Sequence, residues 1–287
     1  MANLKEIRNR IASVSSTMQI TSAMKMVSAA KLKKAQDSIL AMRPYASKLT
    51  ELIQNLSGSF DNLINESYTS DRPVENVLVI AITSNRGLCG AFNSNIIKEI
   101  FKLSKEDFKE KNFDVLSIGK KGGDILSKTL SIKSRHDSIF DDLNFEASSD
   151  LANKIIKYFE QGDYDKVILV YNRFKNAATQ LVTVEQFLPI VPEEIDSKKQ
   201  SKNYIYEPSQ SAIINDLLPK SLKIRLFKAL RDSLASEHGA RMTAMHKATD
   251  NATELRDQLK LTYNKARQAS ITNEILEIVG GAEALKG

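Results

Sequence analysis

Gly119-Lys120-Lys121-Gly122-Gly123 combines the backbone freedom and positive charge that phosphate binding uses. It follows an apolar run and precedes helix-forming residues, which is where α/β folds hold phosphate. Neither G-x-x-x-x-G-K-[ST] nor G-x-G-x-x-G is present, so a tight βα turn is preferred to a phosphate cradle. Asn85-Arg86-Gly87-Leu88-Cys89-Gly90 puts the only cysteine in a glycine-rich loop. A nucleophilic thiol needs a base, and no histidine is near in sequence, so an inert cysteine in a turn is the preferred reading. His238 and His246 lie eight residues apart and lack the i, i+4 spacing of a helical metal pair. They read as helix-surface or interface histidines. Met18, Met24, Met26, Met242 and Met245 read as adaptable packing, and Lys31, Lys33 and Lys34 by default as a solvated helix face. No catalytic, metal or cofactor constellation emerges from these groups.

The elements that would position them are unusual at both ends. Met1–Ser57 holds no glycine and one proline, Pro44, and Lys220–Val279 holds no proline and one glycine, Gly239. Glycine costs a helix interior about 1 kcal/mol and proline about 3. Their scarcity permits helices of roughly 60 Å before Pro44 and roughly 90 Å at the C-terminal end, at about 1.5 Å per residue. Asn3 and Glu6 have the spacing of a capping box. From there Leu4, Ile7, Ile11, Val14 and Met18 follow heptad spacing. The line passes through Thr21, Lys25 and Ser28, then resumes at Leu32, Ala35, Ile39 and Met42. A second stripe, Ile20, Met24 and Val27, covers the polar interruption, and the buried face is expected to rotate there. In the C-terminal stretch, Ile224, Phe227, Leu234, Met245, Ala248, Ala252, Leu255, Leu259, Thr262, Ala266 and Ala269 supply the matching seam. The two helices are expected to pair as an antiparallel left-handed coiled coil.

Between them the period changes. Val77–Thr83 is a continuous apolar, β-branched run, the pattern of a strand buried on both faces. Phe113–Ile118, Val167–Tyr171 and Gln180–Val184 read as further strands, and 91–104, 124–130 and 151–159 as helices. That alternation predicts a small α/β, Rossmann-like layer with a mainly parallel sheet. The expected divisions are an N-terminal helix 1–57, a linker 58–76, the α/β domain 77–190, a linker with a short helix 191–219, and a C-terminal helix 220–287.

The net charge of +6 is segregated. Residues 1–50 carry nine Lys/Arg against two acids, residues 219–287 twelve against eight, and residues 51–218 twenty against twenty-five. Basic helices suggest an acidic partner surface. The single cysteine excludes an intramolecular disulfide framework and suits a reducing compartment. No apolar run approaches the roughly 18 residues of a membrane span, and Met1–Arg10 has no signal-peptide core.

Ile20-Thr-Ser-Ala-Met-Lys-Met-Val-Ser-Ala-Ala-Lys31 resembles the N-terminal signature of the γ subunits of F-type ATP synthases. Ala266-Arg-Gln-Ala-Ser-Ile-Thr-Asn-Glu-Ile-Leu-Glu-Ile-Val-Gly-Gly-Ala282 is similar to the C-terminal signature of that family. Ser84-Asn-Arg-Gly-Leu-Cys-Gly-Ala-Phe-Asn93 and Ala235-Ser-Glu-His-Gly-Ala-Arg-Met-Thr-Ala-Met245 also fit it, and the likeness runs through the whole chain in order. The resemblance implies a non-catalytic central rotor, with a coiled coil inside a ring of α and β subunits. The α/β domain would sit on the membrane c ring with the ε subunit. ATP would be made at sites this chain does not contain. It implies no cofactor, no nucleic acid, membrane association only through partners, and a peripheral place on the cytoplasmic face of a bacterial membrane. Carried over by position, Arg241, Gln268 and Thr272 match residues contacting the β-subunit loops that grip the shaft. Met24 matches a position sensitive in coupling, and Lys33 and Lys34 match basic residues near an acidic β-subunit hairpin. Ile271, Ile275, Ile278 and Val279 would form the apolar tip in the upper bearing. The rival classes are a nucleotide-using α/β enzyme, which predicts phosphate affinity at Gly119–Gly123, and a basic coiled coil on nucleic acid. The latter predicts affinity falling steeply with salt, yet there is little aromatic interleaving for base stacking.

Overall fold

The computed structural model describes residues 4–57, 72–190, 207 and 210–284. In chain order these form α1 (Leu4–Ser57), β1 (Asn76–Ile82), α2 (Phe92–Lys102), β2 (Asn112–Ile118) and α3 (Lys120–Leu126). Then come β3 (Ser131–Arg135), α4 (Phe145–Glu160), β4 (Lys166–Phe174), β5 (Gln180–Leu188) and α5 (Gln210–Ala284). The chain divides into two compact units, Met1–Ser28 with Met242–Gly287, and Ala29–Arg241.

In the larger unit the strands form one sheet in the order β3-β2-β1-β4-β5. Every neighbouring pair is parallel except β4 with β5, which is antiparallel. The apolar run read as a doubly buried strand is β1, at the sheet centre, where Val77 through Ile82 are fully buried. Its side chains alternate between two cores, as a period of two requires. Leu78, Ile80 and Ile82 pack with Ile155 and Phe159 of α4 and Leu222, Leu226 and Leu230 of α5. Val77, Val79 and Ala81 pack with Phe92, Ile96 and Ile100 of α2. The α/β class with a mainly parallel sheet and long terminal helices is therefore what the chain adopts.

Three elements differ from the sequence reading. β3 was not anticipated: Ser131-Ile-Lys-Ser-Arg135 offers one apolar side chain and alternates exposed with half-buried, as an edge strand does. α3 begins at Lys120 and takes the two glycines into its first turns, where a helix over 124–130 was expected. α5 begins at Gln210 and runs through Pro219, ten residues before the expected start at Lys220, just as α1 runs through Pro44. The Asn3 cap, linker positions 58–71 and positions 191–206 and 208–209 of the 191–219 linker lie outside the described residues.

In the smaller unit, 4–28 of α1 pairs antiparallel with α5 from Met242 to about Ser270. Lys25 meets His246 (3.2 Å), Thr21 meets Thr249 (2.8 Å), Arg256 meets Met18 (3.3 Å) and Arg8 meets Tyr263 (2.7 Å). The buried face of α1 does not rotate. Thr21 and Ser28 are buried on the original heptad line, while Ile20 and Val27 of the second stripe are more than half exposed. The polar seam residues remain inside because their hydroxyls donate to helix carbonyls. Thr21 bonds to Met18 and Ser28 to Met24, so no donor is lost on burial. On α5 the seam keeps Ala252, Leu259 and Ala266, but the other position of each heptad shifts by one residue. Arg256, Tyr263 and Ser270 turn inward while Leu255, Thr262 and Ala269 are exposed. Both lines satisfy i, i+3/i+4 spacing. The long polar-tipped side chains Arg256 and Tyr263 take the inner one because they reach groups on α1.

Candidate functional site

With Arg8 opposite Tyr263 and α1 reaching back one more turn to Leu4, α5 outruns its partner only past Ser270. The 14 described residues Ile271–Ala284, about 21 Å of helix, therefore continue alone. Every residue from Ile271 to Ala284 is exposed. Ile271 (47%), Ile275 (54%), Leu276 (63%), Ile278 (71%) and Val279 (53%) form an uncovered apolar surface. Gln268 and Thr272 lie on the same tail, exposed, with the Thr272 hydroxyl donating to the Gln268 carbonyl (2.9 Å). The sequence-derived tip residues thus share one surface, to which Leu276 is added. Met24, in the paired part of the smaller unit, is half-buried; Lys33 and Lys34, in the larger unit, are exposed.

Arg241 is placed differently. It is buried (8% exposed) and its guanidinium donates to the main-chain oxygens of Arg86 (3.1 Å) and Gly87 (3.4 Å). It also pairs with Glu237 at 2.7 Å, one turn back on α5. Burial pushes the Glu237 carboxyl upward against the pull of Arg241. His238 beside them is pushed down to about 4 by burial and by the charges of Arg241 and Lys31. Glu237 was not singled out from the sequence. Its i, i+4 spacing to Arg241 was the available signal.

The loop that Arg241 touches is closed from within. The amide of Asn93 donates to the Ser84 hydroxyl (2.8 Å) and to Cys89 Sγ (3.3 Å), and its oxygen accepts from the Ser84 amide (3.0 Å). The Ser84 hydroxyl donates to the Arg86 carbonyl (2.7 Å). Cys89 is buried and its thiol pKa is raised by that burial, so its place in the turn is structural.

This same segment caps α3. Lys120 N donates to Asn85 Oδ1 (3.0 Å), Lys121 N to the Ser84 carbonyl (3.0 Å) and Gly122 N to Thr83 Oγ1 (2.9 Å). Gly123 N bonds to the Gly119 carbonyl. A phosphate at this helix start would need those donors free, and all four are engaged. A Cβ on Gly122 would lie 2.6 Å from Thr83 Cγ2, so there is no cleft at the turn either. The run is a tight βα turn. Among the described residues no group of three His, Cys, Asp or Glu side chains forms a metal site.

A protein-family model described as ATP synthase matches residues 3–285. The ATP synthase gamma chain of Flavobacterium johnsoniae is 66% identical over 287 residues, covering all of both chains. The chain belongs to the ATP synthase gamma chain family. The gamma chain of Cytophaga hutchinsonii is 48% identical, with 99% of each chain covered. Among solved structures, a Tetrahymena thermophila mitochondrial ATP synthase central stalk and c-ring chain is similar at TM-score 0.61 and 27% identity. The match spans 80% of this chain and 99% of that one. A chain of the Euglena gracilis mitochondrial ATP synthase (OSCP, F1 and c-ring) shares the fold at TM-score 0.72, covering 98% and 94%. Within the gamma chain family, then, two features stand out: the uncovered α5 tail in one unit and the Arg241-bound loop in the other. No described helix is long and apolar enough to cross a membrane.

Proposed function

We propose that the chain is the central rotor stalk of an F-type ATP synthase. It couples rotation of a membrane c ring to the conformational cycle of catalytic β subunits and does no chemistry itself. The observation that carries this reading is the α5 tail. Five large apolar side chains exposed on one solitary helix need a surrounding sleeve, and family membership supplies the sleeve as the α and β subunits. A stalk shifts β-subunit states only if its faces interact unequally with them, because a ligand moves an equilibrium by its differential affinity. The tail is suited to that, with apolar Ile271, Ile275 and Ile278 set among polar Gln268, Thr272 and Glu274. Lys33, Lys34 and Met24 complete the proposed contact set. Arg241 is included with the difference that its contacts here are within the chain. The partners are the α and β subunits, the ε subunit and the c ring, and the place is the cytoplasmic face of a bacterial membrane.

The test is reconstitution with purified α and β subunits, comparing the full chain with one ending at Ser270. Both should fold, since every described residue of the deleted segment is exposed. The full chain should give a discrete complex with cooperative ATPase. The truncated one should give a complex that falls apart severalfold faster on dilution. Equal complex lifetimes would remove the tail from the bearing role, and no complex with either chain would overturn the stalk reading.

A further inference from the structure

Four side chains of α5 fasten it to main-chain oxygens of the α/β layer. Arg225 donates to the Gln186 carbonyl (2.8 Å), Arg231 to Leu143 (2.7 Å), Ser236 to Asn172 (2.9 Å), and Arg241 to Arg86 and Gly87. The first three reach segments at strand or helix ends. The fourth reaches the crown of a loop whose conformation is not self-evident. Leu88 has φ of 62° and is 64% exposed, and a non-glycine residue stays in that region only where its surroundings hold it. Ser84 and Asn93 hold the base of the loop. At its crown, the Arg86 and Gly87 carbonyls take the buried guanidinium, itself oriented by Glu237.

We propose that Arg241 is a latch that locks the Asn85–Gly90 loop to α5, so that loop and helix turn as one body. All three contacts converge on one nitrogen, Nη2, and the rigid plane of the guanidinium fork holds that nitrogen at a set angle where an ammonium on its flexible stem does not. Glu237 is the positioning residue: it fixes the fork's angle from one helical turn away. In the stalk reading, on which this consequence rests, the latch carries torque from helix to loop and keeps Leu88 and Arg86 presented at a fixed angle.

Cys89 makes the latch measurable in the full chain without any partner subunit. It is the only cysteine, lies within the loop and is 2% exposed. Its reaction with a disulfide or maleimide reagent therefore reports loop opening. Arg241 also lowers the thiol pKa by its charge, so losing that charge alone would slow the reaction. Acceleration can then come only from opening. Arg241→Ala should react about tenfold faster or more, the effect of losing a charge-assisted hydrogen bond. Guanidinium ion at non-denaturing concentration should restore the slow rate, with equal sodium chloride as control. Arg241→Lys, which keeps the packing and charge, should fall in between and serves if the alanine variant does not fold. A wild-type rate in a folded Arg241→Ala or Arg241→Lys chain overturns the latch. So does an accelerated Arg241→Ala chain that guanidinium does not slow, since packing and not hydrogen bonding would then hold the loop. Because no α or β subunit is present, these outcomes are independent of the reconstitution that tests the stalk.

Discussion

Replacing Gly119 by alanine should unfold the α/β layer at markedly lower urea while leaving the helix pair of the smaller unit unaltered. Gly119 has φ of 98° and links the end of β2 to the start of α3. An added Cβ would fall inside contact distance of the Thr83 carbonyl oxygen and 2.7 Å from its carbon, both main-chain atoms at the end of the central strand. Strain at a glycine-only backbone position costs about 1–3 kcal/mol. Overpacking that must shift backbone adds about 1–3 kcal/mol. The sum of about 2–6 kcal/mol is a large part of the 5–15 kcal/mol that holds a typical domain. At an m-value of about 2 kcal/mol/M the urea midpoint should drop by about 1–3 M. Circular dichroism would report mainly α1 and α5, 54 and 75 residues long, and the chain has no tryptophan. The assay is therefore pulsed alkylation of Cys89 along a urea series. Gly280→Ala is the control, because an added Cβ there meets nothing within 4 Å. It should leave the Cys89 midpoint in place and favour the helix by up to about 1 kcal/mol. A Gly119→Ala midpoint within about 0.3 M of wild type would refute the claim that this turn is sterically closed.

Thr21→Val or Thr249→Val alone should cost the helix pair about 0.5–1.5 kcal/mol, whereas the double substitution should be near neutral. A thermal-melt double-mutant cycle reads the coupling, and strictly additive losses would show that the 2.8 Å hydroxyl pair contributes nothing. His238 is held neutral in the fold, with its pKa near 4 against an ordinary 6.5. The unfolded chain therefore binds the proton first as pH falls from about 6.5 toward 4, and stability from this group is lost through that window. His238→Gln should remove about 1–3 kcal/mol of the loss between pH 7 and 5. Parallel pH slopes for the two chains in Cys89-monitored urea titrations would count against it. Ile275→Asp with Ile278→Asp should leave unfolding midpoints within about 0.5 kcal/mol of wild type, as for exposed sites, yet weaken assembly with α and β subunits at least tenfold. Equal assembly in native gels would remove the tail from the interface.

The sequence was most informative where one physical demand acts alone. Val77–Ile82 is buried on both faces of a sheet, so its residues are all apolar and the strand reads itself. The α1 seam also followed its heptads, even through Thr21 and Ser28. Expecting the face to rotate there gave side-chain polarity too much weight, since a hydroxyl that bonds its own helix can be buried cheaply. β3 escaped notice because an edge strand need bury only one side, and Ile132 is its lone apolar residue. The start of α3 was hidden because its caps come from Thr83, Ser84 and Asn85, some 35 residues earlier in the chain. Arg241 could be matched to a family position but not to its place in the fold. Its carbonyl partners at 86 and 87 are more than 150 residues away and leave no trace in side-chain types.

The hydroxyl pair in the coiled coil joins residues 228 positions apart. At about 5–20 residues per second, a ribosome that has just finished Thr21 needs about 10–45 s more to supply Thr249. For that interval the first helix exists without its mate, its seam open to every other nascent chain nearby. A seam of uninterrupted leucine would be a sticky half-zipper during the wait. Thr21, Lys25 and Ser28 break it into two short apolar stretches, so the polar middle that weakens the finished pair also keeps the unfinished one from pairing with the wrong strand of protein.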